Sequence, residues 1–417
     1  MTYREEEILS TLLLSNATVL DTRAGQLLSN RYVLIRNGII MDVSEQAPDA
    51  EEAERIELGG RILLPGLCDA HVHVTAWTAN LALLKNSSSA YVTARASQIL
   101  EGMLMRGFTT VRDAGGADWG LAKAIEDGYV VGPRLLFCGH ALSQTGGHGD
   151  MRGAGESGLD FCFCCAGLGL VCDGVSEVRR ACREEMRRGA HQIKLMVAGG
   201  VASPTDRIDS TQYSEDEIRA AVQEAEAANL YVMAHAYTAR AINRALNCGV
   251  RSIEHGNLLD ESSVKLFMKN DAFLVPTLST YQALADEGLE GGLPPELYSS
   301  IFDVLGAGES ALELAYRNGV KLVYGTDLLG DMHRRQLDEF AIRGKVIPPV
   351  DVIRSATCNA ADLFQRAGEI GEVIPGARAD LLVVEGNPLD DLSVMQSPDK
   401  NLRLIMKDGF CYKNELA

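Results

Sequence analysis

Short runs of apolar and β-branched residues recur through the middle of the chain, and each run ends in a polar or glycine-rich turn. Stretches rich in alanine, glutamate and arginine separate several of them, a composition typical of helices. One such stretch opens with a capping box at Ser214-Glu215-Asp216-Glu217. We count eight runs, which are RILLPGLCDAHVHV, FTTVRDAGG, PRLLFCGHALSQTGGHGD, QIKLMVAGG, LYVMAHAY, VRSIEHGN, AFLVPTLST and KLVYGTDLLG. Strands that alternate with helices predict parallel pairing, and eight such units predict an α/β fold of the (β/α)8 barrel type.

The two ends of the chain follow another pattern, in which short strands are separated by tight-turn signals. Asn37-Gly38 is such a signal near the N-terminus, and Asp408-Gly409 is one near the C-terminus. Neither end makes a sensible domain alone. We therefore expect residues 1–64 and 366–417 to form one small β-sandwich beside a barrel of residues 65–365.

The net charge of −18 on 417 residues argues against nucleic-acid and anionic-membrane partners, because both favour basic surfaces. No apolar run is long enough to span a membrane, and the N-terminus lacks the basic segment of a secretory signal. We therefore expect a cytoplasmic protein that has neither nucleic acid nor a membrane as a partner.

The segment FCFCCAGLGLVC contains four of the ten cysteines, Cys162, Cys164, Cys165 and Cys172. A metal or redox cluster is one interpretation of this segment. However, no C-x2-C pair is followed by a second such pair, and adjacent cysteines fit a structural zinc site poorly. We favour reduced thiols that act as small hydrophobic side chains.

Six polar residues lie at the predicted ends of strands: His71, His73, Lys194, His235, His255 and Asp327. In barrels of this type, the active site lies at the carboxyl ends of the strands. Side chains alternate along a strand, so His71 and His73 point to one side and can bind one metal ion together. Imidazole and carboxylate ligands suit zinc and its neighbours. Lys194 lies within an apolar run, where an ammonium group is costly unless it is paired or chemically changed.

The motifs LPGLCDAHVHV, IKLMVAGG, AHAY, IEHG and YGTD, in this order, resemble those of the amidohydrolase superfamily. The resemblance implies a metal-dependent hydrolase built on a distorted TIM barrel. It also implies that His71 and His73 bind the more buried of two metal ions, most often zinc. By the same resemblance, Lys194 reacts with CO2 to form a carbamate that bridges both metal ions, and the ligands of the second ion are His235 and His255.

The resemblance assigns two roles to Asp327, which would bind the first metal ion and move the proton. Metal coordination lowers the pKa of a bound water to about 7, and the hydroxide that results can bridge two metal ions and attack a polarised carbonyl. Asp327 would take the proton as general base and pass it to the leaving amine as general acid.

Local features resemble one subgroup, the Xaa-Pro and Xaa-Arg dipeptidases or carboxypeptidases and the ochratoxinase-like amidases. These features are TGGHGD, GGVASPTD and the tyrosine of AHAY. By this resemblance, His148 and Tyr237 would contact the scissile carbonyl oxygen or the substrate carboxylate. Thr238 stands where deaminases of the superfamily carry a glutamate, which argues against deamination. Imidazolonepropionase-like members lack a lysine at the position of Lys194, so this lysine favours the binuclear, amide-cleaving branch.

The expected substrate is a dipeptide or an N-acyl amino acid, including an aryl-acyl-phenylalanine of the ochratoxin type. Hydrolysis of a cyclic amide or lactone of the imidazolonepropionase-like type is the alternative within enzymes. A barrel kept as a scaffold without catalysis is a third interpretation, which the retention of all six ligands disfavours. The family is commonly oligomeric, so we expect a homo-oligomer.

We expect supporting roles for several further polar residues. Bracing of the site is expected for Asp113 and Glu254, structural roles are expected for His140 and His191, and His333 could lie either near the metals or at the surface. In the loop after the fourth strand, Ser203 and Arg207 could touch a substrate carboxylate.

Overall fold

The computed structural model describes residues 11–156 and 167–416. Its strands are β1 (Thr11–Asp21), β2 (Gln26–Arg36), β3 (Ile39–Ser44), β4 (Glu54–Glu57), β5 (Ile62–Pro65), β6 (Leu67–Val72), β7 (Phe108–Asp113), β8 (Arg134–Phe137), β9 (Ala141–Ser143), β10 (Gly169–Val171), β11 (Ile193–Met196), β12 (Val232–Thr238), β13 (Ser252–Leu258), β14 (Phe273–Val275), β15 (Lys321–Leu322), β16 (Leu381–Val384), β17 (Leu402–Lys407) and β18 (Phe410–Asn414). The α-helices are α1 (Ser89–Met105), α2 (Trp119–Glu126), α3 (Gly174–Arg187), α4 (Glu215–Ala227), α5 (Ala239–Asn247), α6 (Glu261–Asn270), α7 (Leu278–Glu287), α8 (Ile301–Leu305), α9 (Gly308–Arg317), α10 (Asp338–Gly344), α11 (Pro349–Ser355), α12 (Cys358–Leu363) and α13 (Pro398–Asn401). Short 3-10 helices are Leu81–Asn86, Pro295–Ser300, Gly330–Arg335 and Leu392–Gln396.

One sheet combines strands from both ends of the chain, in the order β18-β17-β16-β5-β1-β2-β3, with β4 paired to β1. The two ends meet where β5 runs antiparallel to β16 and Leu63 lies opposite Val383. Both of these side chains are buried, and each contributes about 1.5–3 kcal/mol by leaving water. The turns at Asn37-Gly38 and Asp408-Gly409 have positive φ at all four residues. A Cβ on Gly38 would collide with the Asp408 carbonyl, so these turns pack directly together.

The remaining strands form two parallel sheets, which confirms the α/β class and the parallel pairing. The smaller sheet has the order β6-β7-β8, and the larger has the order β10-β9-β11-β12-β13-β14-β15. Backbone hydrogen bonds connect β6 to the segment that follows β15: Ala70 N–H donates to the Tyr324 carbonyl, and Asp327 N–H to the His71 carbonyl, both at 2.8 Å. The chain segments after β6 and after β15 are therefore neighbours in space.

Two details differ from the expected strand order. The third apolar run divides into β8 and β9 around Gly139, which has a φ of 74°. The irregular segment after it contributes an edge strand, β10, which pairs with β9 in parallel. At three residues each, β9 and β10 are too short to show a hydrophobic period of two in the sequence.

The helices cover the parallel strands with apolar faces, and α4 shows how one of them begins. The capping box is present: the Ser214 hydroxyl accepts from the Glu217 N–H, and the Glu217 carboxylate accepts from the Ser214 N–H. Ile218 and Ala221, three residues apart, lie on its buried face. Within the described ranges, no helix combines the length and apolar character needed to cross a membrane.

The cysteine-rich segment is only partly described, because Cys162, Cys164 and Cys165 lie outside the described residues. Cys172 is buried, and its Sγ lies 3.2 Å from the Tyr213 hydroxyl. Burial raises the pKa of the Cys172 thiol to about 11. This cysteine is therefore a protonated thiol in the protein interior.

Candidate active site

The eight residues expected to form the site line one cleft at the carboxyl ends of the parallel strands. They are His71, His73, His148, Lys194, His235, Tyr237, His255 and Asp327. We call the six expected metal ligands among them the ligand cluster: His71, His73, Lys194, His235, His255 and Asp327. Contributions from β6, β11, β12, β13 and the segment after β15 bring these six together. These six residues lie far apart in the sequence, so the hydrogen bonds of the sheets determine how their side chains are arranged.

Three members of the ligand cluster lie close enough to share one cation. The Nε2 atoms of His71 and His73 lie 3.5 and 3.3 Å from Oδ1 of Asp327. One ligand atom from each of the three residues falls within 4.8 Å of the others. Both histidines are buried, which leaves their side chains little freedom to separate. These three side chains could hold a metal ion.

Two members of the cluster have an unfavourable backbone conformation. The φ angles of His255 and Asp327 are 71° and 54°, in the left-handed region. Such a conformation costs about 1–3 kcal/mol for a residue other than glycine and is concentrated at functional sites. The hydrogen bond from the Asp327 N–H to the His71 carbonyl helps to hold the aspartate in this conformation.

Each histidine of the cluster uses one ring nitrogen to contact an outer partner. The pairs are His71 Nδ1 with Glu254 Oε2 at 2.8 Å, His73 Nδ1 with the Gly115 carbonyl at 2.9 Å, His235 Nε2 with the Gly199 carbonyl at 3.0 Å and His255 Nδ1 with Thr277 Oγ1 at 2.8 Å. A carboxylate or a carbonyl only accepts, so the proton lies on the contacting nitrogen in the first three pairs. The other nitrogen can then offer a lone pair to a cation, as is usual for metal-binding histidines.

Burial sets the charge of most of the cluster. It lowers the pKa of His71 and His235 well below the usual value, and it lowers the pKa of His255 to about 3. Burial also lowers the pKa of Lys194, against the opposing charges of Glu254 and other acids. Neutral imidazoles and a more easily deprotonated amine are the forms that bind cations and react with CO2.

Asp327 and His73 behave differently because they interact directly. Burial alone would lower the pKa of His73, but the hydrogen bond to Asp327, the charges of Asp327 and Asp113 and the Gly115 carbonyl together outweigh it, and the net pKa is raised. Burial would raise the pKa of Asp327, yet the same hydrogen bond and the neighbouring charges keep it below the usual value. The two side chains therefore stabilise each other's charged forms.

Glu254 braces the ligand cluster through His71, as expected. It does so together with Arg112, which was not singled out in the sequence. Its carboxylate accepts from Arg112 Nη2 at 3.0 and 3.1 Å and from the Ser252 hydroxyl at 2.7 Å. Both charged side chains are fully buried. Arg112 also donates to the Ala70 carbonyl at 2.7 Å, next to His71. A charged residue inside the apolar run FTTVRDAGG was the available signal.

His148 is held by side chains of the loop after β11. Its Nδ1 lies 2.8 Å from the Ser203 hydroxyl, which is also hydrogen-bonded to Asp206. Gln212 accepts from the His148 N–H at 2.9 Å and donates to Asp206 at 2.7 Å. We call these four residues the loop wall: His148, Ser203, Asp206 and Gln212. The His148 ring stacks on that of His235, with centroids 4.2 Å apart, so the loop wall adjoins the ligand cluster.

Tyr237 is buried beside the cluster, and its ring centroid lies 4.8 Å from that of His235. Its hydroxyl lies 3.1 Å from the hydroxyl of Tyr281. Tyr281 lies in α7, far along the chain, and nothing in the sequence pattern distinguished it from a core tyrosine.

Other polar residues lie away from the cluster. His140 Nδ1 lies 2.8 Å from Glu185 Oε1, and His191 contacts the Phe137 ring. His333 is buried, with Nε2 3.3 Å from the Ala76 carbonyl. Asp113 accepts backbone N–H groups of Val74, Gly115 and Ala117 and so braces the loop after β7. The side chain of Arg207 is 83% exposed and pairs with Asp209.

Comparisons with known proteins agree with this arrangement. The ochratoxinase of Aspergillus niger is 32% identical to this chain over 410 residues, which cover 93% of this chain and 84% of the relative. The structure of a prolidase complexed with N-methylphosphonate-L-proline is 48% identical and has a TM-score of 0.95, covering 97% of this chain and all of that one. A Xaa-Pro dipeptidase with bound methionine is 30% identical, with a TM-score of 0.87 and coverage of 97% and 100%. Residues 62–410 match the model of the amidohydrolase family, and the chain belongs to that family.

Proposed function

We propose that this protein is a binuclear zinc hydrolase that cleaves the amide bond of a dipeptide or an N-acyl amino acid. The observation that carries the proposal is the set of outer partners of the four clustered histidines. Each imidazole has one nitrogen engaged, and the other is available beside Asp327 and Lys194. Four buried imidazoles, three of which have a lowered pKa, are expected where cations bind.

We propose that the ligand cluster holds two divalent cations. His71, His73 and Asp327 would hold the first, and His235 and His255 would hold the second. Lys194 would be carboxylated to an anionic carbamate shared by both, which would offset the cost of burying a lysine there. When bound, the cations supply an activated water near neutral pH and polarise the substrate carbonyl.

The side chains of the cleft would carry the remaining steps. Asp327 would accept a proton from the attacking water and deliver it to the leaving nitrogen, so that an amide and water become a carboxylate and an amine. His148 and Tyr237 would hold the carbonyl oxygen or the substrate carboxylate. The apolar residues of the cleft, which include Leu81 and Leu284, would exclude water from the reacting groups.

Two substrate classes have specific support. A Xaa-Pro dipeptide comes first, because the prolidase that binds N-methylphosphonate-L-proline is 48% identical over nearly the whole chain. An aryl-acyl-phenylalanine comes second, because the Aspergillus niger ochratoxinase aligns with 93% of this chain. The apolar side of the cleft suits either a prolyl or a phenylalanyl ring.

We extend the proposal to the architecture. Residues 65–365 would form a distorted (β/α)8 barrel, and residues 1–64 and 366–417 would form a β-sandwich beside it. The hydrogen bonds between β6 and the segment after β15 support the closure of the barrel, and the pairing of β5 with β16 supports the composite sheet. A homo-oligomer in the cytoplasm stays a prediction.

A kinetic screen tests the proposed function. The zinc-loaded protein is assayed in bicarbonate buffer with Xaa-Pro, Xaa-Arg and Xaa-Phe dipeptides and with an aryl-acyl-phenylalanine. We expect turnover that is highest for one of the two supported classes. The matched control is Asp327→Asn, prepared in the same way, which should remove the activity and so exclude a contaminating peptidase.

One result would contradict the proposal. If every dipeptide and N-acyl amino acid were inert while cyclic imides or lactones were hydrolysed, the linear-amide assignment would be wrong. Zinc content, measured by mass spectrometry on the same samples, separates this outcome from incomplete metal loading.

A further inference from the structure

A second cavity lies between α1 and the 3-10 helix Gly330–Arg335. Among the described residues, its lining has three arginines and one acid, which are Arg95, Arg106, Arg334 and Asp331. His333 also lines it and is neutral, because burial lowers the pKa of this imidazole to about 3. Acids outnumber basic residues by 57 to 39 in the whole chain, so this lining reverses the general balance of charge. Such a local excess of positive charge attracts anions.

Arg106 is the arginine of this cavity with the fewest partners. A guanidinium group has five N–H donors. Within residues 11–156 and 167–416, its one hydrogen bond runs from Nε to Gln336 Oε1, at 3.0 Å. Nη2 is buried and has no acceptor, which is rare for a buried donor. Burial lowers the pKa of Arg106 to about 10, and the group is still charged at neutral pH.

The acids around the cavity leave part of this positive charge uncompensated. Gln336 donates to Asp69 Oδ2 at 2.9 Å, so an amide group stands between the Arg106 guanidinium and this carboxylate. Arg95 Nη2 lies 3.4 Å from Asp331 Oδ1, but the Asp331 side chain is 91% exposed, and water screens the pair. Arg334 has a firmer partner in Glu287, at 2.6 Å. Arg95 and Arg106 therefore retain attraction for an anion.

The helix is shaped to hold the Arg106 guanidinium at the cavity. Arg95, Ile99, Gly102 and Arg106 follow one another at spacings of three and four residues, which places them on one face of α1 and its C-terminal end. A Cβ on Gly102 would lie 3.1 Å from Arg106 Nη1. Glycine within a helix is less stable than alanine. Its presence here gives the guanidinium room to lie against the helix.

The volume of the cavity limits what it can hold. It measures about 190 Å³, whereas sites for drug-sized ligands measure about 300–1,000 Å³. At about 30 Å³ for each water molecule, the space corresponds to about six waters. A small ion with part of its hydration shell fits this volume, and a second molecule of a dipeptide substrate does not.

We propose that this cavity binds a small oxyanion, of the phosphate or carboxylate type, through the guanidinium group of Arg106, with Arg95 adding to the attraction. The planar fork of a guanidinium matches two oxygens of such an anion. Among the described residues, the cavity shares no lining residue with the cleft that contains the ligand cluster. The inference therefore goes beyond the proposed function and does not depend on it.

Calorimetric titration of the zinc-loaded protein tests the site. The probes are sodium phosphate, sulfate and acetate, with sodium chloride at matched ionic strength as the reference. The variants are Arg106→Gln and, as matched control, Arg317→Gln, which removes an arginine of α9 that is 73% exposed and paired with Glu313. We expect one Arg106-dependent oxyanion per chain in the unmodified protein and in the control. In Arg106→Gln, its Kd should rise at least about tenfold.

The three probes also distinguish the sources of the chemistry, because tighter binding of phosphate and sulfate indicates a tetrahedral anion and tighter binding of acetate a carboxylate. A phosphate bound to zinc in the cleft would persist in Arg106→Gln, so only the binding that this change removes is assigned to the cavity. Arg106→Lys guards against a folding defect. It keeps the charge and most of the stem but lacks the fork, and it should bind the anion more weakly than the unmodified protein.

Three results would overturn the inference. The first is the absence of saturable oxyanion binding to the unmodified protein, and the second is equal affinity in the unmodified protein and in Arg106→Gln or Arg106→Lys. The third concerns a carboxylate from another copy of the chain. If size-exclusion chromatography showed that Arg106→Gln dissociates an oligomer, and no oxyanion bound to the unmodified protein, that carboxylate would be the partner of Arg106.

Discussion

The two sides of the candidate active site are built from different kinds of structure. Strand ends carry the ligand cluster, and two of its histidines contact backbone carbonyls, those of Gly115 and Gly199. The loop wall follows β9 and β11, and side chains make most of its contacts: Ser203 and Gln212 both connect His148 to Asp206, whose Oδ2 also lies 3.7 Å from His148 Nδ1.

This difference suggests separate tasks. A strand end is fixed by ladder hydrogen bonds on both sides, so its side chains can be held within the narrow tolerances that metal coordination requires. A wall made of side-chain contacts on loops can adjust to a ligand more easily. We therefore expect changes in the ligand cluster to remove activity together with metal, and changes in the loop wall to alter substrate binding while metal is retained.

Lys194→Arg gives the largest expected effect. Arginine keeps the positive charge but cannot form the carbamate, so the shared anionic ligand would be lost. We expect kcat to fall by about a thousandfold or more and zinc content to fall below that of the unmodified protein. Kinetics and mass spectrometry of the same preparation measure both.

The matched control is Lys321→Arg, a change of the same type in the short strand β15, where the lysine is partly exposed and pairs with Asp271 at 2.6 Å. It should leave kcat and zinc content unaltered. Activity of Lys194→Arg close to that of the unmodified protein would refute the carbamate. Changes in the ligand cluster would then not be distinguished from changes in the loop wall by loss of activity and metal.

The ligand cluster could be predicted from the sequence because its physical basis is local. His71-x-His73 has the strand period of two, and the apolar runs with their turn residues locate the ends of the parallel strands. Lys194 was conspicuous as a charge in an apolar run. The α/β class and the parallel pairing follow from the same alternation of runs and helical stretches.

The loop wall and the buried braces could not be predicted in the same way. Asp206 follows Ser203 by three residues in a loop that has no periodic pattern, and its contact with Gln212 depends on how that loop closes. Tyr281 and Arg112 reach the site from a helix and a strand whose relative placement only the folded sheet determines. Such contacts depend on tertiary geometry, which residue spacing does not contain.

Asp206→Asn gives the second-largest expected effect. Asp206 Oδ2 lies 3.7 Å from His148 Nδ1, and the carboxylate holds the Ser203 hydroxyl that contacts the same nitrogen. Replacing it with an amide removes the charge and keeps the shape, so His148 would be less firmly oriented. We expect KM to rise about tenfold, kcat to stay within about threefold and zinc content to be unchanged.

Ser203→Ala removes the hydroxyl that connects His148 to Asp206. It should likewise raise KM while kcat and zinc content change little. Loss of zinc in either variant would break the comparison, because it would show that the loop wall supports the ligand cluster as well as the substrate.

Arg207→Ala gives the smallest expected effect and sharpens the comparison within a single loop. Arg207 directly follows Asp206, but its side chain is 83% exposed, and its partner Asp209 is 66% exposed. Exposed ion pairs contribute little, since water and salt screen them. We expect kcat and KM within about twofold of the unmodified values and an unaltered melting temperature.

If Arg207 instead reached over the cleft to bind a substrate carboxylate, KM would rise about tenfold for substrates with a free C-terminus and stay constant for their C-terminal amides. Comparing each substrate with its amide therefore decides whether the recognition surface ends at the buried Ser203 and Asp206 or extends to the exposed edge of the loop.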